Sequence, residues 1–349
     1  SGSCPSLLLE PSRTNLIPHS EYLGGWNSTP TYTNTNTLNP EGRSVNSFYT
    51  RIISQTINVD SNQTYSLSAY AKKDTWNWIY IRTAGFDTSE YTWFDLENGS
   101  VGTASAGHGT PTITPEGNGW YRCTIYFSSI TDLSGNAYLS GVPSNGSTTQ
   151  GSNDQEAVFI DMIQCEQGSY PTSYIPTYGV SQTRLAESCV VNNATSSIGQ
   201  TEGTIFLDFV YENNGGAFYA SYVANATGFT DFVGWRINDN KTTLDILIRY
   251  NNVFQVLDSA ASVFAVGNRY KVALKYSSGD IKVFVNNQEK YSSTATYTTP
   301  SVSLSKQTIS GATANAVDSL QQDTISKVNQ SILFPTALTD SECIALTTI

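Results

Sequence analysis

Asn77-Trp78-Ile79-Tyr80-Ile81-Arg82-Thr83 and, further along, Glu90-Tyr91-Thr92-Trp93-Phe94-Asp95-Leu96 are the two segments that decide the fold. Successive side chains of a strand point to opposite faces, so Ile79 and Ile81 mark the core side of one segment, and Phe94 and Leu96 that of the other. Trp78, Tyr80 and Arg82 then share the opposite face with Tyr91, Trp93 and Asp95. The same period of two runs along the rest of the chain. Turn dipeptides punctuate it at Gly24-Gly25, Asn98-Gly99, Asn118-Gly119, Ser278-Gly279 and Asn286-Asn287. Short strands at roughly 8–14-residue spacing predict an all-β protein of packed sandwiches, not βαβ units. Helical periodicity is confined to Asp318–Gln322 and Thr339–Leu346, where Thr339 caps a turn closed by Glu342.

With 349 residues the chain is too long for one average domain and suits two. Ser1-Gly2-Ser3 reads like a cloning scar, which makes residues 1–6 a lead-in and a longer parent protein the expectation. The first sandwich is expected over residues 7–175, with strands near Gln55–Val59, Tyr65–Lys72, Asn77–Thr83, Glu90–Leu96, Tyr121–Ser128 and Val158–Cys165. Two prolines, Pro171 and Pro176, mark an extended junction, and residues 176–186 are read as a linker. The second sandwich is expected over residues 187–349. Thr31–Asn39, all Thr, Asn, Tyr and Leu, reads as a loop.

The aromatic content is unusual: 21 Tyr, 14 Phe and 6 Trp, while charged residues are 13% against about 25% in an average domain. In Trp120–Phe127 the core set is Tyr121, Cys123, Ile125 and Phe127, which turns Trp120, Arg122, Thr124 and Tyr126 outward. Tyr65–Ala71 likewise turns Ser66, Ser68 and Tyr70 outward. Large aromatics on a nominally solvent face need a cover. A sugar ring is one: its C–H face packs on an aromatic ring while Arg and Asp bond its hydroxyls. The candidate platform is therefore Trp78, Tyr80, Tyr91, Trp93 and Trp120 for stacking, with Arg82, Asp95 and Arg122 for hydrogen bonding. The alternative cover is protein: the segment Pro18–Pro40, the second domain or another subunit. In the second half, Arg236, Asp245 and Arg249 form a polar groove or an ordinary solvated strand face.

Other functions are excluded or weakened by the composition. A net charge of −11 with scattered basic residues disfavours nucleic acid. No apolar run approaches the ~18–20 residues of a membrane span. The five cysteines form no CxxC pair, so no zinc or redox motif is expected, and Cys189 with Cys343 is the one pairing worth testing. His19 and His108 lie in Pro/Gly-rich context and read as surface-loop residues. No nucleophile elbow, phosphate loop or zinc-protease motif is present, and the nearest approaches to a glycosidase's paired carboxylates, Asp87 with Glu90 and Asp95 with Glu97, read as turn and edge polarity. Glu10 and Asp161 are the candidate ligands of a structural calcium ion where the termini of the first domain meet.

Two segments carry a resemblance. The opening Cys4-Pro5-Ser6-Leu7-Leu8-Leu9-Glu10-Pro11-Ser12-Arg13-Thr14-Asn15-Leu16 and the junction Glu166-Gln167-Gly168-Ser169-Tyr170-Pro171-Thr172-Ser173-Tyr174-Ile175-Pro176-Thr177 through Thr183-Arg184 resemble stretches of bacteriophage tail and virion-surface proteins. Such proteins pair a carbohydrate-binding-module-like jelly roll with a laminin-G or concanavalin-A-like sandwich. Arg269–Tyr276, Ser278–Asn286 and Ile332–Glu342 resemble the inner strands and closing turn of the latter. The resemblance implies two tandem β-sandwiches, jelly-roll type and then concanavalin-A/laminin-G-like type, at the virion surface or outside the cell. It implies attachment to host or environmental glycans, beside other virion proteins, and with the catalytic motifs missing the expectation is a non-catalytic adhesion protein. Two rivals stand: a structural fibre module, its aromatic face an interface in a homotrimer, and a divergent polysaccharide-degrading enzyme.

Overall fold

Asn118 and Gly119 both have positive φ, 51° and 78°, and so do Asn286 and Asn287, 48° and 63°. This is the backbone of tight hairpin turns whose twist matches that of the flanking strands. The computed structural model describes residues 7–27, 30–49, 52–153, 155–185, 187, 189–211, 218–226, 228–238, 240–311 and 326–349. The expected turn at Asp318–Gln322 and Cys4 fall outside them. The fold is all-β, in two units: Arg13–Arg184, and Leu185–Ile349 together with the segment up to Ser12.

In chain order the strands are β1 (Leu7–Leu9), then β2 (Arg13–Asn15), β3 (Thr31–Leu38), β4 (Ser44–Tyr49), β5 (Ile53–Asn58), β6 (Gln63–Lys73), β7 (Trp78–Phe86), β8 (Thr88–Asp95), β9 (Ser100–Ala104), β10 (Thr112–Gly117), β11 (Trp120–Ser129), β12 (Ser134–Val142), β13 (Val158–Gln167) and β14 (Gln182–Arg184). Strands β3 to β13 make the first sandwich, a six-stranded sheet ordered β10-β11-β6-β13-β4-β3 and a five-stranded sheet ordered β5-β12-β7-β8-β9. Its core alternates as the sequence predicts: Tyr65, Leu67, Ala69 and Ala71 on β6, Cys123, Ile125 and Phe127 on β11, Ile79 and Ile81 on β7, Phe94 on β8.

The second sandwich follows with β15 (Cys189–Val191), β16 (Glu202–Tyr211), β17 (Phe218–Asn225), β18 (Gly228–Ile237), β19 (Leu244–Tyr250), β20 (Val253–Ala260), β21 (Arg269–Ser277), β22 (Asp280–Val285), β23 (Gln288–Ser293), β24 (Leu304–Gly311), β25 (Ser326–Phe334) and helix α1 (Asp340–Thr347). Its sheets are ordered β1-β25-β16-β21-β22-β23 and β15-β24-β17-β18-β19-β20. Val233, Trp235 and Ile237 pack with Leu244, Ile246 and Ile248 in its core. The capping box at α1 is complete, since the Thr339 side chain accepts from the Glu342 amide and Glu342 reaches back to the Thr339 amide.

Several expectations are corrected. Leu7–Leu9 is not the first strand of the first sandwich: it pairs antiparallel with Ser326–Val328, so a β-edge of the second unit recruits it. The expected linker is partly structured, because Gln182–Arg184 pairs with Arg13–Asn15 inside the first unit. Thr31–Leu38 is a strand, not a loop. His108 is no surface residue. It is fully buried, with Nδ1 2.8 Å from Thr92 Oγ1 and Nε2 2.9 Å from Thr83 Oγ1, and burial pushes its pKa down to about 4. Cys189 and Cys343 are both free. Arg236 donates to Asp245 at 2.7 Å and Arg249 to Asn252 at 2.5 Å, so those charges bond within their own sheet.

Candidate functional site

The register of β7 against β8 sets Trp78 opposite Asp95, Tyr80 opposite Trp93 and Arg82 opposite Tyr91. These residues therefore do share the outer face of the five-stranded sheet. Trp78, Tyr80, Tyr91 and Trp93 form a packed cluster there with Tyr138, Val142 and Ile52. Tyr91 and Trp93 stack with ring centroids 5.3 Å apart, and both meet Tyr80 edge-on. Tyr80 is completely buried beneath them, and desolvation pushes its phenol pKa up. Arg82 is held over two rings, 5.0 Å from Tyr91 and 4.6 Å from Tyr138, and bonds Ser89.

The cover of this face is the protein's own loop after β12. Trp93 is 8% exposed and its indole N–H donates to the Ser147 carbonyl at 2.7 Å. Asn145 Oδ1 accepts from the Thr103 amide at 2.8 Å, and Gln150 Oε1 from the Ile52 amide at 3.2 Å. Trp78 and Asn145 both crowd Gly102, where a Cβ would come within 2.6 Å of the indole. The Asp95 carboxylate is engaged within the sheet, accepting from the Glu97 and Asn98 amides and the Asn98 side chain and closing the β8–β9 turn. The platform expected from the sequence is thus mostly a small second core.

Trp120 and Arg122 do not join it, since β11 belongs to the other sheet and they lie on the opposite side of the sandwich. Trp120 is 1% exposed, packs on Phe159 and donates to the Leu38 carbonyl at 2.7 Å. Arg122 donates to Ser68 Oγ at 3.0 and 3.2 Å and lies over Tyr70. Beside them Asp161 is buried, accepting from the Asn39 amide group at 2.8 Å; desolvation raises its pKa to about 6. Glu10 belongs to the other unit, where its backbone N–H bonds the Glu187 carboxylate. Among the described residues no group of three or more His, Cys, Asp or Glu gathers as a metal site.

Two clefts lie along the β4–β3 edge of the six-stranded sheet. One cleft of about 560 Å³ is lined by Tyr32, Thr33, Thr35 and Tyr49 from β3 and β4, by Asp74 and Thr75, and by Ser152, Asn153 and Gln155. A second, of about 450 Å³, is lined by Thr35, Asn36, Thr37, Lys72, Lys73, Asp74, Leu96, Glu97, Gly119, Tyr121 and Phe159. Thr35 and Asp74 line both, so the two clefts adjoin. The Thr33, Thr35 and Ser47 hydroxyls stand 2.5–2.6 Å from one another, and Thr35 donates to Asp74 Oδ2 at 3.4 Å. Tyr32 is 43% exposed at the rim. Volumes in this range suit small ligands, and hydroxyl, amide and carboxylate groups beside tyrosine rings suit a polyhydroxylated one.

Sequence reasoning missed this site because it sought apolar alternation. Thr31, Thr33, Thr35 and Thr37 alternate with Tyr32, Asn34 and Asn36, a period of two written without a core residue.

No protein-family profile matches the sequence, and no curated protein matches it significantly. Solved structures with a similar fold include the CBM40 module of the Ruminococcus gnavus IT-sialidase bound to α2,3-sialyllactose, at 16% identity and a TM-score of 0.38, covering 47% of this chain and 97% of the module. Domain 4 of a GH43 extracellular arabinanase from Geobacillus stearothermophilus, in complex with arabinotriose, gives 13% and 0.34, over 48% of this chain and 73% of that one. A galectin from Caenorhabditis elegans gives 14% and 0.30, over 42% and 89%.

Proposed function

We propose that the first sandwich binds a glycan in the two adjoining clefts, without catalysis. The observation that carries this reading is their lining: hydroxyl, amide and carboxylate groups converge at Thr35 and Asp74, with Tyr32 and Tyr49 as ring walls. Glycosidic cleavage needs a carboxylic acid held protonated near neutral pH beside a second carboxylate. Asp161 has such a raised pKa, but it lines neither cleft and its carboxylate is engaged by Asn39. Glu97 lines the second cleft, where it is paired with Lys73.

Affinity electrophoresis of the whole chain in gels containing neutral or acidic polysaccharides tests the reading. Retardation is expected, and Tyr32→Ala with Asp74→Ala abolishes it without changing the melting temperature. Absence of retardation by every polymer, or retardation untouched by that double variant, contradicts it.

The setting we propose, a distal part of a phage tail or virion fibre at the virion surface, rests on the resemblance of the Cys4–Leu16 and Glu166–Arg184 segments alone. Its partners would be other virion proteins, and light scattering that finds a stable trimer would favour a fibre module.

A further inference from the structure

Lys72 stands apart from its neighbours in the second cleft. The adjacent Lys73 is paired with Glu97, and in the second sandwich Lys275 and Lys282 share Asp340. The Lys72 ammonium instead donates to the neutral Thr37 hydroxyl at 3.3 Å, and among the described residues it pairs with no carboxylate. Its stem is fixed. Trp120 and Phe159 are its register partners on either side, and a Cβ on Gly119 would lie 3.5 Å from its Cε. A long cationic side chain usually keeps its rotamer freedom in water, so a cation held along apolar surface is preorganised for a partner. An ammonium without a counter-ion has donors left for an anion, to which it makes charge-assisted hydrogen bonds.

We propose that this cleft selects acidic sugars by placing a ligand carboxylate on the Lys72 ammonium, while Asp74 accepts from ligand hydroxyls. The inference rests on the glycan-binding reading above. The charges around the cleft narrow the ligand further. Asp74 and Glu97 line the same cleft, and the chain carries a net charge of −11, so a dense polyanion is repelled. The ligand class is a sparsely charged glycan, with one carboxylate per repeat of two or more sugars.

The test is affinity electrophoresis of the full chain in hyaluronan, gellan and xanthan, each in native form and after chemical reduction of its carboxylates to alcohols, with heparin as the dense polyanion. At least one native polymer is expected to bind about tenfold more tightly than its reduced form, with heparin weak. Lys72→Gln brings that ratio to one while the reduced polymer still binds, and Lys72→Arg restores it. Equal binding of native and reduced forms by the wild type overturns the carboxylate assignment and leaves the glycan reading intact. A ratio unchanged in a folded Lys72→Gln variant also overturns it. No binding of any polymer, native, reduced or neutral, removes both.

Discussion

On the outer face of the five-stranded sheet, Tyr91 and Trp93 stack above Tyr80 and the 143–150 loop is bonded down over them. On the outer face of the six-stranded sheet, Trp120 and Phe159 pack together, and the strand at its edge, β3, alternates Thr with Tyr, Asn and Leu. Both faces are rich in rings, yet they differ in what lies on top. Apolar rings draw a cover from the chain itself, because leaving such a patch wet is costly. A ribbon of hydroxyls gains nothing comparable by closing, and its side chains bond one another while still facing water. The aromatic face is therefore covered by the chain itself, and the polar edge stays open as two clefts.

The comparison breaks most visibly through truncation of the buried rings. Trp120→Ala and Trp93→Ala should each lower stability by roughly 3–5 kcal/mol in urea unfolding, the range for a large aromatic removed from a packed site. If Trp93→Ala instead left stability unchanged and abolished polysaccharide binding, the covered face would be the platform after all.

Titration separates the two sides of the sandwich with opposite signs. His108 bridges Thr83 and Thr92 of the five-stranded sheet, and its folded pKa of about 4 lies below the ordinary 6.5. Its contribution is complete above pH 6.5 and is lost as pH falls towards 4, a change of order 2–3 kcal/mol. Asp161, on the six-stranded sheet, has a folded pKa of about 6 against an ordinary 3.8. Its contribution is complete below pH 3.8 and is lost as pH rises through 6. Urea midpoints across pH 4–7 should show His108→Gln flattening the acid-side loss and Asp161→Asn removing the opposing slope. Unchanged profiles in both variants would mean that neither group is buried as described.

Within the cleft, Tyr32→Ala should weaken polysaccharide binding by roughly 1–3 kcal/mol, as for an aromatic anchor, with stability nearly unchanged. The smallest effect sharpens the picture of the cover. Asn145→Ala removes the bond to the Thr103 amide and should cost about 1 kcal/mol, with faster hydrogen exchange at Thr103 and no gain in sugar affinity. A gain would show that the loop masks a second binding face.

The strands were legible wherever a core residue marked every second position, as in Ile79–Ile81 or Leu244–Ile246–Ile248. The face of each platform residue was legible too, since strand alternation fixes it. What lies above a face is not a local property. Asn145, Ser147 and Gln150 cover the aromatic cluster from a polar loop with no periodic signal. Sheet membership is equally non-local, and that is why Trp120 and Arg122 were grouped with Trp78 although β11 and β7 lie in opposite sheets. The Thr31–Leu38 strand was invisible to a hydrophobic criterion, and Leu7–Leu9 gave no sign that it would pair with Ser326–Val328.

The most direct measurement is residue-resolved NMR of the protein titrated with short oligosaccharides from a polysaccharide that retards it. The predicted result is that shift changes concentrate at Thr33, Thr35, Thr37, Lys72, Asp74 and Ser152, with the Trp78 and Trp93 indole signals still. Changes centred on Trp78, Arg82 and Tyr91, or confined to the second sandwich, would contradict the account.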